Sequence, residues 1–202
     1  MNSRVGDWIQ TATGRAFYPL DPDPSEICVE DIAHALSHQC RFSGHCKSFY
    51  SVAEHSVRVA YYIEKNYQSG YYTEARGNLH HVPVRDLALW GLLHDASEAY
   101  LVDLPRPLKR SPGFGEHYKA AEDRLTAAIV KRFGLLEKEP DCVKIADNVL
   151  LVTEARDLML PPPMPWVEST VKPLDEKIEP WDSKAAGTRF LMAFHRLTTG
   201  DR

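Results

Sequence analysis

The segment LALWGLLHDASEAYLVDLPRPLK, residues 87–109, constrains the fold more than any other. Its first half reads as a core-like apolar helix, yet the apolar run ends in an adjacent His94–Asp95 pair, with Glu98 one helical turn further on. Neighbouring side chains on a helix diverge by about 100°, so an adjacent imidazole and carboxylate rarely serve a single structural purpose. A metal ion lying against the helix between them is the exception. The two prolines of DLPRPLK cannot continue a helix, and a stiff turn is expected beside the pair. Ionisable groups lodged in a core helix are costly unless they are paired or bound to metal, so the rest of the chain must supply partners.

With 202 residues, 44% hydrophobic and 26% charged, the chain is long enough for one sizeable core. A formal charge of −4 argues against a nucleic-acid partner held by bulk electrostatics, so any phosphate must be recognised by a local site. No run approaches the roughly 18–20 apolar residues of a membrane span, and MNSRVGDWIQ offers no signal-peptide core. A cytoplasmic protein with no membrane partner is the expectation. Cys28, Cys40, Cys46 and Cys142 form no CxxC pair, which points to reduced, mostly buried thiols and not to a zinc ribbon.

Along the chain, residues 1–27 read as an irregular arm with a short hairpin at Thr13-Gly14 and a proline-rich loop. A helix is expected over residues 28–40, burying Val29, Ile32, Ala33 and Leu36 at helical spacing. The segment RFSGHCKSFYS is a loop, and Ser51 then caps a helix over residues 52–67, with Glu54 completing a capping box. Residues 68–82 form a polar connection. Pro83 suits the first turn of the central helix, which is expected to run through Ala99 or beyond. Further helices are expected over residues 116–133, ended by Gly134, and over 140–160, ended by PPPMP. A proline-marked extended segment wraps the surface, and a last helix over 183–199 packs Phe190, Leu191, Phe194 and Leu197. The class is all-α: an arm (1–27), a core (28–160), and an extended segment plus C-terminal helix of the same domain (161–202).

His55 falls among Val52, Val59 and Ala60 on the second helix, and Asp147 lies in KIADNVL between Ile145 and Val149. Each alone reads as a satisfied core histidine or an ion-pair partner. Together with His94 and Asp95 they place ligand types on three helices, as in metal sites built inside bundles. Two imidazoles and two carboxylates suit Zn, Mn, Co, Ni or Fe(II) better than a pure Mg or Ca cage.

The order His55, His94-Asp95, Asp147 resembles the H…HD…D pattern of the HD-domain metal-dependent phosphohydrolases. HDASEAYLVDLPRPLK is similar to the HDxSE…DLPxPxK segment of bacterial 5′-deoxynucleotidases, and SVAEHS to the stretch around their first histidine ligand. DIAHALSHQCRFSGHCKSFYSVAEHS also resembles small phage and bacterial HD proteins that include deoxyadenosine triphosphate triphosphohydrolases. The resemblance covers roughly residues 28–160 and implies an HD-domain helical bundle. It implies that His55, His94, Asp95 and Asp147 hold a divalent metal and that Glu98 is the general acid/base. By the same carry-over, Arg41 binds the substrate phosphate, Asp103 contacts the sugar hydroxyl, and Lys109 neutralises a phosphate chain. Phe42 stands where the nucleotidase branch commonly has a tryptophan beside the base.

The expected activity is dephosphorylation of a small deoxynucleotide. The substrate is either a monophosphate, giving nucleoside and phosphate, or a triphosphate (deoxyadenosine triphosphate favoured), giving nucleoside and triphosphate. Alternatives are hydrolysis of an alarmone or cyclic nucleotide, or a non-catalytic nucleotide-sensing module. Ala99 after Glu98 counts against the alarmone reading, and retention of Glu98 and Arg41 counts against the module. His34 and His38 have i, i+4 spacing but no acid to complete a site; His45 lies near Arg41; His80-His81 reads as solvated. His117 is the one histidine between the HD pair and Asp147, so one metal is expected rather than two. The family's members suggest a possible homo-oligomer.

Overall fold

The computed structural model describes residues 4–73, 79–165 and 170–199. Strands β1 (Ile9–Gln10) and β2 (Ala16–Phe17) form a small antiparallel hairpin. Gly14, at φ 81°, takes the left-handed conformation in its turn. Arg4 ties the arm down through Asp21 and Glu26, and Asp23 caps a 3-10 turn, Pro24–Glu26, by accepting from the Ser25 N–H. Helix α1 (Val29–His38) follows, with Val29, Ile32, Ala33 and Leu36 all buried as their spacing requires.

Ser51 starts α2 (Val52–Asn66), its hydroxyl accepting from the Glu54 N–H at 3.1 Å. The capping box is only half made. The buried Glu54 carboxylate turns away to take Arg58 and the Trp181 N–H at 2.7 Å, because burial demands stronger partners than a cap offers. The expected polar connection is instead an antiparallel hairpin of β3 (Gly70–Thr73) and β4 (Leu79–Val82), and Val82 is buried in the core.

Pro83 precedes α3 (Val84–Leu93), whose residues from Leu87 to Leu93 are all buried. The expected continuation through Ala99 does not occur. After Leu93 the backbone tightens: Ala96, Glu98, Ala99 and Tyr100 each donate three residues back, and α4 (Glu98–Leu101) is a single turn. The DLPRPLK turn likewise contains a short helix, α5 (Arg106–Lys109). Its prolines occupy the cap and first turn, where no N–H is needed. Helix α6 (Phe114–Phe133) ends on left-handed Gly134, and α7 (Asp141–Leu158) and α8 (Ser183–Thr199) complete the chain.

Helix α2 is the hub, packed on α1, α3, α7 and α8. Gly91 allows the close approach of α3: a Cβ there would sit 2.5 Å from Ile63 Cδ1 and 3.2 Å from Val59 Cγ1. On α8, Phe190 and Leu197 are buried with Ala186 and Ala193, while Leu191 and Phe194 pack at the edge of the core. The described part of the extended segment buries Ile178 and stacks Trp181 against the guanidinium groups of Arg58 and Arg189. The chain is mostly helical. No described helix is long and apolar enough to cross a membrane. All four cysteines are free; Cys28 and Cys142 are buried, whereas Cys40 and Cys46 are only half-buried.

Candidate functional site

His55 projects from the first turns of α2, His94 caps the C-terminus of α3 with Asp95 just beyond it, and Asp147 sits two turns into α7. Their donor atoms converge. His55 Nε2 lies 3.3 Å from His94 Nε2, 3.7 Å from Asp95 Oδ2 and 3.4 Å from Asp147 Oδ1, and His94 Nε2 lies 3.2 Å from Asp95 Oδ2. For metal–ligand bonds of about 2.0–2.1 Å, neighbouring donors of a tetrahedral shell stand about 3.3 Å apart, and octahedral neighbours about 3.0 Å. The His55–His94, His94–Asp95 and His55–Asp147 separations match such spacings, whereas His55–Asp95 is wider. The atoms of His55, His94 and Asp95 all lie within 4.8 Å of one another. Asp147 reaches the group through His55, its second oxygen being held by Lys144 at 2.7 Å.

The imidazoles are prepared for this. His94 Nδ1 lies 2.8 Å from the Gly91 carbonyl, and His55 Nδ1 lies 2.6 Å from Glu154 Oε1. Both partners only accept, so each Nδ1 carries a proton and each Nε2 turns its lone pair to the cluster. In the metal-free protein that lone pair attracts a second proton. Burial disfavours the charged imidazolium of His94, but adjacent Asp95 outweighs it and raises the pKa to about 9. Burial likewise opposes charge on Asp95 and Asp147, and the histidines override it, holding both carboxylates well below their usual range. A divalent cation entering the cluster takes the place of these protons. His55, His94 and Asp95 form a group that could hold such an ion, with Asp147 beside His55.

Glu98 lies beside the cluster, buried, with Oε1 accepting from Lys109 Nζ at 3.0 Å and Oε2 without a protein partner. Burial, then repulsion from Asp95 and Asp103, pushes its pKa well above the ordinary carboxyl value, outweighing Lys109. Lys109 also holds Glu122 at 3.0 Å, so it is clamped between two carboxylates rather than projecting to solvent. Gln39, at the end of α1, ties both ends of the turn that carries Glu98 and Asp103, donating to the Glu98 carbonyl at 2.9 Å and accepting from the Asp103 N–H at 3.1 Å. Between them Val102, exposed and β-branched, is held at φ 71°. Such strain persists where surroundings over-determine the backbone; here the Tyr118 hydroxyl also grips the Val102 carbonyl at 2.7 Å.

Arg41 enters from the loop between α1 and α2. The loop's neck is pinned by the Arg41 N–H to the Tyr50 carbonyl, and its far side by the Lys47 N–H to the Leu158 carbonyl. The guanidinium reaches Asp95 Oδ2 at 3.7 Å through Nη1, while Nε and Nη2 both meet Glu154 Oε2 at 3.0 Å. Phe42 packs against it, 5.4 Å from ring centroid to Cζ, with φ 54°. Glu154, fully buried, was not among the residues named from sequence; nor were Tyr50, whose hydroxyl donates to it at 2.9 Å, and Gln39. One signal was available: Glu154 follows Asp147 by seven residues, two turns along the same helix face.

Among the described residues, other histidines stay outside the cluster. His34 and His38 stack on each other on α1, His45 is exposed, and His117 Nδ1 meets the Gly113 carbonyl. His81 falls on β4, in a strand rather than a loop. Two clefts, of about 580 and 220 Å³, lie along α2, α8 and the extended segment and share no residue with the cluster.

No family model matches the sequence. The uncharacterized protein YfdR of Escherichia coli (strain K12) is 36% identical over 153 residues, covering 76% of this chain and 73% of YfdR. The uncharacterized protein RCAP_rcc00048 of Rhodobacter capsulatus is 38% identical over 157 residues, covering 75% of this chain and 72% of that protein. Identity at this level over most of both lengths places the chain in the family of YfdR and RCAP_rcc00048.

Proposed function

We propose that the chain is a divalent-metal-dependent phosphohydrolase of the HD type, acting on small deoxynucleotides. The observation that carries this reading is the convergence of His55, His94 and Asp95, with Asp147 beside His55, a guanidinium next to Asp95 and a buried carboxyl group nearby. His55, His94, Asp95 and Asp147 would hold the ion. When bound, it supplies Lewis acidity toward a phosphoryl oxygen and makes a water more acidic.

The chain's own groups do the rest. Arg41 has Nε and Nη2 committed to Glu154, which fixes its plane and leaves the Nη1 edge, beside Asp95, for a phosphate oxygen. Glu98 accepts from Lys109 through Oε1, which leaves Oε2 as the oxygen that would carry a proton, and burial favours that protonated form; from Oε2 a proton can pass to a leaving oxygen. Asp103 is available to a sugar hydroxyl from the turn fixed by Gln39, and Phe42 offers an apolar wall beside Arg41. Lys109 is already held by Glu98 and Glu122, so the phosphate contact falls chiefly to Arg41. That favours a short phosphate group, hence a 5′-monophosphate, over a triphosphate chain.

The test is incubation of purified protein with Co²⁺ or Mn²⁺ and a panel of nucleotides, with products identified by chromatography. Inorganic phosphate from deoxynucleoside monophosphates is expected. Intact triphosphate released from deoxyadenosine triphosphate would move the substrate to the longer chain. Turnover of alarmones or cyclic nucleotides alone would replace the proposed substrate, and binding without turnover of any nucleotide would reject hydrolysis.

A further inference from the structure

We infer that Glu154 is a positioning residue that ties the metal site to the phosphate site, a reading that rests on the proposed function. The carboxylate lies wholly inside the protein on α7, where it accepts three hydrogen bonds and makes one further ion-pair contact. Oε1 takes His55 Nδ1 at 2.6 Å and the Tyr50 hydroxyl at 2.9 Å, and Oε2 takes Arg41 Nε and Nη2, each at 3.0 Å. Both carboxylate oxygens are thereby engaged, Oε1 by two donors and Oε2 by the guanidinium. Neutralising a buried charge would need one of those cations. Glu154 instead engages one group from α2 and one from the preceding loop, and both face the cluster with their remaining atoms.

The consequence is mutual. Through Oε1, Glu154 keeps the His55 proton on Nδ1 and leaves Nε2 to bind metal. Through Oε2, it sets the plane of Arg41 and aims Nη1 toward Asp95. A shift of this one side chain displaces a metal ligand and a phosphate donor together. Asp95 Oδ2 also meets both, each at 3.7 Å, but from within the cluster; Glu154 holds them from behind.

The experiment uses the full chain with Co²⁺ and inorganic phosphate as probes. Glu154→Gln and Glu154→Asp are compared with the unsubstituted protein by circular dichroism, calorimetric titration and the visible spectrum of bound cobalt. Gln removes the charge; Asp keeps it but shortens the arm, so it guards against a fold lost to an unpaired buried arginine. Both variants should bind Co²⁺ about 10–100-fold more weakly, with an altered cobalt spectrum. Both should also weaken phosphate binding, and in an Arg41→Ala background the phosphate effect should vanish while the cobalt effect persists. Folded variants with unchanged cobalt affinity and spectrum would overturn the inference and leave the proposed function standing. A loss confined to cobalt would overturn the tie between the two sites. Failure of the unsubstituted chain to bind Co²⁺ would overturn the proposed function, and this inference with it.

Discussion

Burial and the charges of Asp95 and Asp103 oppose ionisation of Glu98 and raise its pKa. Replacing it with Gln preserves shape and the bond to Lys109 but leaves no proton to give. Glu98→Gln should therefore retain Co²⁺ by elemental analysis while kcat falls by about 10²–10⁴-fold, the usual worth of a general acid or base. Because the acid form is the useful one and its pKa is raised, kcat in the unsubstituted protein should decline as pH rises through that pKa. A rate that increases across the same range would assign the group a base role instead. Val102 shows a different residue-scale cost. A β-branched side chain at φ 71° stores on the order of 1–3 kcal/mol, and the exposed side chain recovers little of it by packing. Val102→Gly should raise the melting temperature while raising KM, since the turn presenting Asp103 loses its rigidity. A melting temperature that falls would show the strain to be absent.

At the scale of elements, the α2–α3 contact carries the site, because His55 and His94 leave from its two sides. Gly91→Ala would drive a methyl group into Ile63 and Val59, costing about 1–3 kcal/mol and pushing the two imidazoles apart. Denaturant melts and cobalt titration should report both losses together. Helices α1, α2, α6, α7 and α8 were legible because apolar spacing, Ser51 and Gly134 mark them locally. The break after Leu93 was not. HDASEAY contains good helix formers, and beside the local bond of His94 to Gly91 what holds the following turn is tertiary, the grip of Gln39 and Tyr118. The four ligand candidates were readable as polar residues in apolar runs. Glu154 was hidden because TEARD reads as an ordinary solvated helix face, its burial arising only when the loop bearing Arg41 docks on α7.

For the whole molecule, the cluster makes stability depend on pH, and a bound divalent ion should oppose that dependence. His94 has a folded pKa of about 9 against 6.5 for a free imidazole, so its charged form stabilises the metal-free protein fully below 6.5. That contribution is lost as pH rises through about 9. Metal requires the deprotonated ring, so the rise in melting temperature on adding Co²⁺ should grow over the same interval. Melts with and without Co²⁺ across that interval check both slopes; parallel curves would remove His94 from the metal site. The wide separation of the contributing residues has one more consequence. Synthesis runs from the N-terminus, and His55, His94 and Asp95 emerge well before α7 brings Asp147 and Glu154. A nascent chain halted before residue 141 would hold the histidines and Arg41 with neither acid to meet them. Assembly of the candidate centre waits for α7, and chains cut before residue 141 should bind cobalt more weakly than the full chain however well their first helices form.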